Sequence, residues 1–169
     1  MQERDRLIVE QIPRLRRYAR ALTGDAAQAD DLVQDCVERA WNKFHLWRRG
    51  SNMRAWMFTI MHNLHVNSRR RIGGRPAVIS LQDWTDERGV APAQEKAVEF
   101  TGVRLAISQL PEEQRQVVLL VGLEELSYQE VAKILGIPIG TVMSRLSRGR
   151  DRLRQLMMEG KGASERSRK

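Results

Sequence analysis

The sequence holds one cysteine, Cys36, in 169 residues. A single thiol makes no internal disulfide, which removes the disulfide scaffolds of small secreted domains and points away from an oxidising compartment. Aromatic residues make up only 5% of the chain. Alternating runs of valine, isoleucine and threonine are absent, so there is little from which to build a sheet. No stretch approaches the roughly 20 apolar residues that a membrane-spanning helix needs. The N-terminus, MQERDRLIVEQIPRLRR, is charged throughout and lacks the apolar core of a secretion signal. The expected location is therefore the cytoplasm. A phosphate-cradling glycine loop, a nucleophile elbow and a catalytic cluster are also missing. An enzyme is the least favoured class, and no cofactor is expected.

What the sequence does have is positive charge. Lysine and arginine number 29 against 21 aspartate and glutamate, a formal net charge of +8. Such an excess points to a polyanionic partner, nucleic acid first. Composition alone leaves open a soluble protein with a solvated basic face, so where the charge sits matters more than its sum. The length admits one domain or two small ones.

Apolar residues recur mainly at helical spacing. Over residues 4–23, Leu7, Ile8, Ile12, Leu15, Tyr18, Ala19 and Leu22 form a stripe, with Pro13 either starting a new helix or kinking one. Gly24 stops it, and Asp25 is placed to cap the next helix, from Ala26 to about Phe44. There Leu32, Val33, Cys36, Val37, Ala40, Trp41 and Phe44 mark an apolar face, while Asp30, Asp31, Gln34, Asp35 and Glu38 give an acidic outer one. Residues 45–52 read as a loop, from which Ser51 or Asn52 can cap a third helix, Met53 to about Arg71. Periodicity stops at Gly73-Gly74-Arg75-Pro76 and resumes at Thr101, where a helix to Gln109 is followed by Pro111 at a first helical position. The expected architecture is all-α: two small helical domains, residues 1–72 and 101–158, joined by a flexible linker over 73–100 and followed by a disordered tail over 159–169.

The most informative stretch is LSYQEVAKILGIPIGTVMSRLSRGRDRLRQL, residues 126–156. Ser127 and Glu130 have capping-box spacing, which fixes a helix start. Val131, Ala132, Ile134 and Leu135 give a short apolar face, and Gly136 supplies the left-handed backbone that turns the chain. Pro138 fits the entry to a second helix, whose Val142, Leu146 and Leu153 face inward. A short helix, a tight glycine turn and a longer helix make a DNA-binding helix-turn-helix. The second helix would present Thr141, Ser144, Arg145, Arg148 and Arg152 to a major groove, with Gly140 allowing close approach to the phosphate backbone. A structural hairpin with a solvated arginine face is the plainer alternative. Against it, Asp151 is the only acid between Thr141 and Arg154, and like charges stacked at helical spacing destabilise unless a polyanion meets them.

The third helix carries a second candidate set. Trp56, His62, Asn63 and Asn67 lead into Arg69, Arg70 and Arg71, a pattern of aromatic, amide and cationic groups suited to unstacked bases and backbone phosphate. Core packing of Trp56, and a dipole-complementing helix end at the arginines, are open alternatives. The acidic face of the second helix reads equally as a solvated surface or a docking surface. His62 and His65 are three apart, but two ligands fall short of the four of a structural zinc site, so no metal is expected. Cys36 reads as a small buried hydrophobe.

On these residues the chain resembles the extracytoplasmic-function sigma factors, group IV of the sigma-70 family. GIPIGTVMSRLSRGRDRLR looks like their promoter-reading helix, and LPEEQRQVVLLVGLEELSYQEVAKILG like the rest of sigma domain four. ADDLVQDCVERAW resembles the region-two helix that binds the polymerase clamp, and NMRAWMFTIMHNLHVNSRRR the helix that melts and reads the −10 element. The resemblance covers about residues 8–157. It implies a three- or four-helix domain two and a helix-turn-helix domain four. It also implies that Asp30, Asp31, Gln34, Asp35 and Glu38 bind core RNA polymerase. Trp56, His62, Asn63, Asn67, Arg69, Arg70 and Arg71 would serve the melted −10 element, and the loop 46–52 would cage a flipped base. Pro138, Gly140, Thr141, Ser144, Arg145, Arg148 and Arg152 would read the −35 duplex. It further implies promoter DNA and core polymerase as partners, an anti-sigma factor as inhibitor, and a role in stress or environmental response.

Two rivals remain on the sequence. A dimeric helix-turn-helix regulator would need no polymerase-binding face, but no dimerisation element is evident. A sigma-like decoy that binds an anti-sigma factor could dispense with the recognition arginines, which this chain keeps.

Overall fold

The computed structural model describes residues 2–72 and 102–168, all of their regular structure helical. The expected linker, 73–100, lies outside the described residues. Four helices build the N-terminal module: α1 Glu3–Val9, α2 Ile12–Thr23, α3 Ala26–Asn42 and α4 Met53–Ile72, with a single 3-10 turn at Phe44–Leu46. The C-terminal module has α5 over 102–108, α6 Glu112–Val118 running into a π-turn at Leu119–Leu123, α7 Tyr128–Leu135 and α8 Ile139–Ser167.

Local chemistry sets the boundaries. Pro13 stands in the first turn of α2, where its missing N–H has no partner to lose, so it begins a helix and does not kink one. Gly24 closes α2 in the left-handed conformation, and the Asp25 carboxylate accepts the Gln28 N–H at 3.0 Å to open α3. Asn52 does the same for α4, its Oδ1 accepting from the Ala55 N–H at 3.2 Å. Pro111 sits one residue earlier than expected, at the cap of α6.

In the N-terminal module α3 packs between α2 and α4. Ile8, Leu15, Tyr18, Leu22, Leu32, Val33, Cys36, Met57, Phe58 and Met61 are buried there. Tyr18 meets Phe58 edge-on with ring centroids 5.1 Å apart, the geometry their quadrupoles favour. Each such side chain stabilises the fold by about 2 kcal/mol through lost water contact. Trp41 departs from the expected apolar face: it is 39% exposed, with the Arg4 guanidinium stacked 3.9 Å from its ring centroid. In the C-terminal module α6 and α7 pack on α8 around Val117, Leu120, Val131, Ile134, Val142 and Leu146.

The two modules pack on each other. The helix α4 lies along α7, and α2 meets the π-turn, so the buried apolar residues of both modules form one continuous cluster. The helix α8 runs on through Ser167, into the stretch expected to be a tail. Extending an existing helix needs no new nucleus, which lets α8 continue past Gly160 and Gly162 despite their low helix propensity.

Candidate nucleic-acid interface

The helix-turn-helix is assembled from short-range interactions. Ser127 Oγ accepts from the Glu130 N–H at 3.2 Å, and the Glu130 carboxylate accepts the Ser127 N–H at 3.0 Å. These reciprocal bonds fix the start of α7. Gly136 ends it at φ +66°, where a side chain would be strained. Pro138 caps α8, which buries Val142, Leu146 and Gly149. Gly149 has no room for a methyl group: a Cβ there would stand 2.7 Å from Cγ2 of Val118.

Burying that side of α8 turns the expected DNA-reading residues outward. Pro138, Gly140, Ser144, Arg148 and Arg152 are exposed, and Thr141 is half-buried. Arg145 is drawn back toward Glu113 of α6, at 3.7 Å, with 24% of its side chain exposed. Arg148 and Arg152 make no ion pair among the described residues. The Ser144 hydroxyl donates to the Thr141 carbonyl. This surface can meet phosphate and base edges with arginine, hydroxyl and open helix N-terminal groups.

The α4 candidates divide between two faces. At 100° per residue, Trp56, Asn63, Asn67 and Arg70 fall on one side, with Arg71 at its edge. Asn63, Asn67, Arg70 and Arg71 are exposed, while Trp56 is half-buried and packs in part against the core. His62 and Arg69 fall on another side, next to the buried His65. Burial, then the charge of His65, hold the His62 imidazole below its ordinary value. Both effects disfavour the charged imidazole, which suits His62 to neutral hydrogen bonding more than to pairing with phosphate. The five α3 residues, Asp30, Asp31, Gln34, Asp35 and Glu38, are all exposed, and Asp30 lies 4.0 Å from Arg16. Cys36 is fully buried, its thiol pushed up to about 12 by that burial. Among the described residues no cluster of three or more histidine, cysteine, aspartate or glutamate could hold a metal ion.

Several residues to which the sequence assigned no such role tie the modules together. Glu112, in the first turn of α6, is bonded to His65 and lies 2.8 Å from Arg69. Burial alone would raise its carboxyl, but the His65 hydrogen bond and the charges of His65, Arg69 and Arg115 outweigh it and hold the group below its ordinary value. Arg17 donates to Glu124 at 3.1 Å and to the Leu123 carbonyl at 3.2 Å. Arg115 donates to the carbonyls of Ile107, Ser108 and Leu110 within its module and to Leu22 across the interface. Asn52 donates to Glu130 at 2.9 Å.

Comparison with known proteins places this arrangement in a family. Residues 8–62 match the family described as the sigma2 domain of PhyR, and residues 101–153 match sigma-70 region 4. The chain is 36% identical over 152 residues to the ECF RNA polymerase sigma factor EcfG of Rhodopseudomonas palustris, spanning 89% of this chain and 82% of that one. The chain belongs to the ECF RNA polymerase sigma factors. Its similarity to the ECF sigma factor SigL of Mycobacterium tuberculosis is 37% over 132 residues, 77% of this chain and 75% of that one. Among solved structures, the sigma factor RpoE of Bartonella quintana, in complex with the anti-sigma factor NepR, superposes with a TM-score of 0.75 at 33% identity, covering 91% of this ECF chain and 96% of that one. The expected all-α fold with sigma domains two and four is thereby established.

Proposed function

We propose that this ECF sigma factor binds core RNA polymerase and directs it to a particular class of promoter. The observation that carries the reading is the exposed arginine face of α8, Arg148 and Arg152 beyond the Gly136 turn, on the same chain as the exposed amide and arginine face of α4. Two separate nucleic-acid surfaces on one small chain suit a factor that reads two promoter elements. Domain four would read the −35 duplex with Pro138, Gly140, Thr141, Ser144, Arg145, Arg148 and Arg152. Domain two would read the melted −10 strand with Trp56, His62, Asn63, Asn67, Arg69, Arg70 and Arg71, and the loop 46–52 would hold a flipped base. The acidic face of α3, Asp30, Asp31, Gln34, Asp35 and Glu38, would dock on the polymerase clamp.

The protein would work in the cytoplasm beside polymerase and catalyse no reaction of its own. Among the described residues no helix is long and apolar enough to cross a membrane. The similar RpoE was solved with the anti-sigma factor NepR. We propose an anti-sigma partner for this chain on that basis, as part of a stress or environmental response.

A second reading comes from the match of residues 8–62 to the sigma2 domain of PhyR, since PhyR of Bartonella quintana is described as an anti-anti-sigma factor. A decoy of that kind would bind the inhibitor and not DNA. The identity is 20% to that PhyR against 33% to the sigma factor RpoE. The deciding experiment is run-off transcription with core polymerase on fragmented host DNA, with and without this protein. Discrete new transcripts support the sigma reading. DNA binding without start sites supports a plain regulator, and capture of an inhibitor with neither supports the decoy.

A further inference from the structure

Val142, Leu146 and Gly149 of α8 face the core, and this fixes which way the helix looks outward. At about 100° per residue, Gly140 and Ser144 stand within about 30° of that outward direction and Arg148 about 55° from it. Arg145 lies farther round, about 115° away on the Arg148 side. It is paired there with Glu113 at 3.7 Å, and only 24% of its side chain is exposed. Met143 lies on the opposite flank, about 85° from the outward direction. It is 51% exposed. By position and by exposure, Met143 is better placed than Arg145 to meet a ligand laid across the helix.

Ile139, one turn earlier on the same flank, is 43% exposed, so two large apolar side chains interrupt an otherwise polar surface. Their surroundings say what covers them. Arg148, Arg150 and Arg152 are exposed, and the acid among them, Asp151, is paired with Arg154 at 3.1 Å. A cationic helix that opens from a helix-turn-helix turn meets duplex DNA, with its N-terminal residues nearest the base edges. Phosphate offers a thioether nothing. The major groove carries one apolar feature, the C5 methyl group of thymine.

We infer that Met143 is a specificity-determining residue of domain four, which selects an A·T pair in the −35 duplex by contact with its thymine methyl. The inference rests on the reading of α8 as the −35 helix. Three rotatable bonds and a polarizable sulfur let methionine follow a methyl group closely. Cytosine presents no methyl there. Pressed on the O6 and N7 acceptors of guanine, the side chain removes water and returns no hydrogen bond. The two flanks of α8 thus do different work. Met143, in the second turn, selects by apolar contact, and Arg148 and Arg152, farther along, hold guanine or phosphate.

The test uses the full chain with core polymerase, on a promoter found by run-off transcription from fragmented host DNA. Each thymine of the −35 duplex is replaced in turn by deoxyuridine, which lacks only the methyl group, and holoenzyme affinity is measured by competition. At one thymine the native chain should lose about fourfold, equivalent to about 0.8 kcal/mol for one buried carbon at 1.4 kcal/mol per tenfold. Met143→Ala should bind the thymine and uracil duplexes equally at that position, and Met143→Leu should keep the preference. Unchanged binding of both variants to core polymerase shows that they are folded. A −35 element without an A·T pair, no thymine sensitive to loss of its methyl, or the same uracil loss in Met143→Ala as in the native chain would overturn the inference. If no transcripts appear, the sigma reading fails instead. The uracil comparison is then made with the chain alone, on duplexes selected by binding from a random pool, and failure to select any overturns the methyl contact as well.

Discussion

Arg17 of α2 and Glu124 at the end of the π-turn form an ion pair across the two modules, with the carboxylate wholly buried and the guanidinium 41% exposed. Burial raises the Glu124 carboxyl above its ordinary value, and the charge and hydrogen bond of Arg17 pull against that rise. Its second oxygen, Oε2, is buried without a partner. Removing Arg17 strands the carboxylate, so Arg17→Ala should destabilise the chain by about 2 kcal/mol. That is below the usual ~3–5 kcal/mol for breaking a buried pair, because Arg17 is half in water. Glu124→Gln keeps an acceptor for Arg17 and removes the buried charge, so it should cost under about 1 kcal/mol. Urea unfolding of the two variants checks the ordering. Equal losses would show that shape, and not charge, matters at this position.

Two of the interface glutamates, Glu112 and Glu124, respond to acid in opposite directions. Glu112 is held below its unfolded value, so its stabilisation is present above the ordinary carboxylate range and fades as pH falls through the folded value. Glu124 is held above its unfolded value. Its contribution is fully present below the unfolded value and is lost as pH rises through the folded one. The stability difference between native chain and Glu112→Gln should therefore shrink on acidification, while the native chain should gain relative to Glu124→Gln. Parallel pH profiles of urea unfolding for both variants would contradict these assignments.

Local signals carried the fold. The Ser127–Glu130 capping box, the Asp25 cap and the Gly136 turn each act within four residues, so their partners can be read from the sequence and lie where expected. The two faces of α4 follow from 100° arithmetic on the positions of Asn63, Asn67, His62 and Arg69. Which face would be covered depended on α6 and α7, far along the chain, and no periodicity reports that. Nothing beside Glu112 in the sequence announces its partner His65, 47 residues away. Glu124 and Glu125 are adjacent and chemically identical; only Glu124, whose partner Arg17 is 107 residues away, is buried. The far end of α8, through Ser167, continues a helix nucleated upstream, which the polarity of the stretch alone does not report.

Gly149 is buried inside α8, where a glycine costs about 1 kcal/mol against alanine unless something requires it. The requirement is α6: a Cβ would stand 2.7 Å from Val118 Cγ2 and 3.4 Å from Gln114 Cβ. Valine is stiff in a helix and cannot swing aside easily. Gly149→Ala should therefore lose about 1–2 kcal/mol from crowding despite the gain in helix propensity. Thermal unfolding of Gly149→Ala alone and with Val118→Ala checks the cause, because the second change opens the space and should recover part of the loss. A stabilised Gly149→Ala would mean that α6 and α8 are farther apart in solution.

Replacing Arg148 tests whether recognition and polymerase binding are separate. It is exposed on α8, one turn beyond Arg145, and makes no ion pair among the described residues, so its removal leaves the fold's own contacts intact. Arg148→Ala should weaken binding to a promoter duplex by about 1–3 kcal/mol if it reads a base edge, with relaxed preference at one position. If it clamps phosphate, affinity should fall alike on all duplexes and the salt dependence should drop by about one ion. In either case binding to core polymerase should stay unchanged, because the candidate docking residues, Asp30 to Glu38, lie on α3 of the other module. Duplex titrations at several salt concentrations, set beside a core-polymerase pull-down, distinguish the two roles. Equal loss of both activities, or of neither, would count against the division of labour between the two domains.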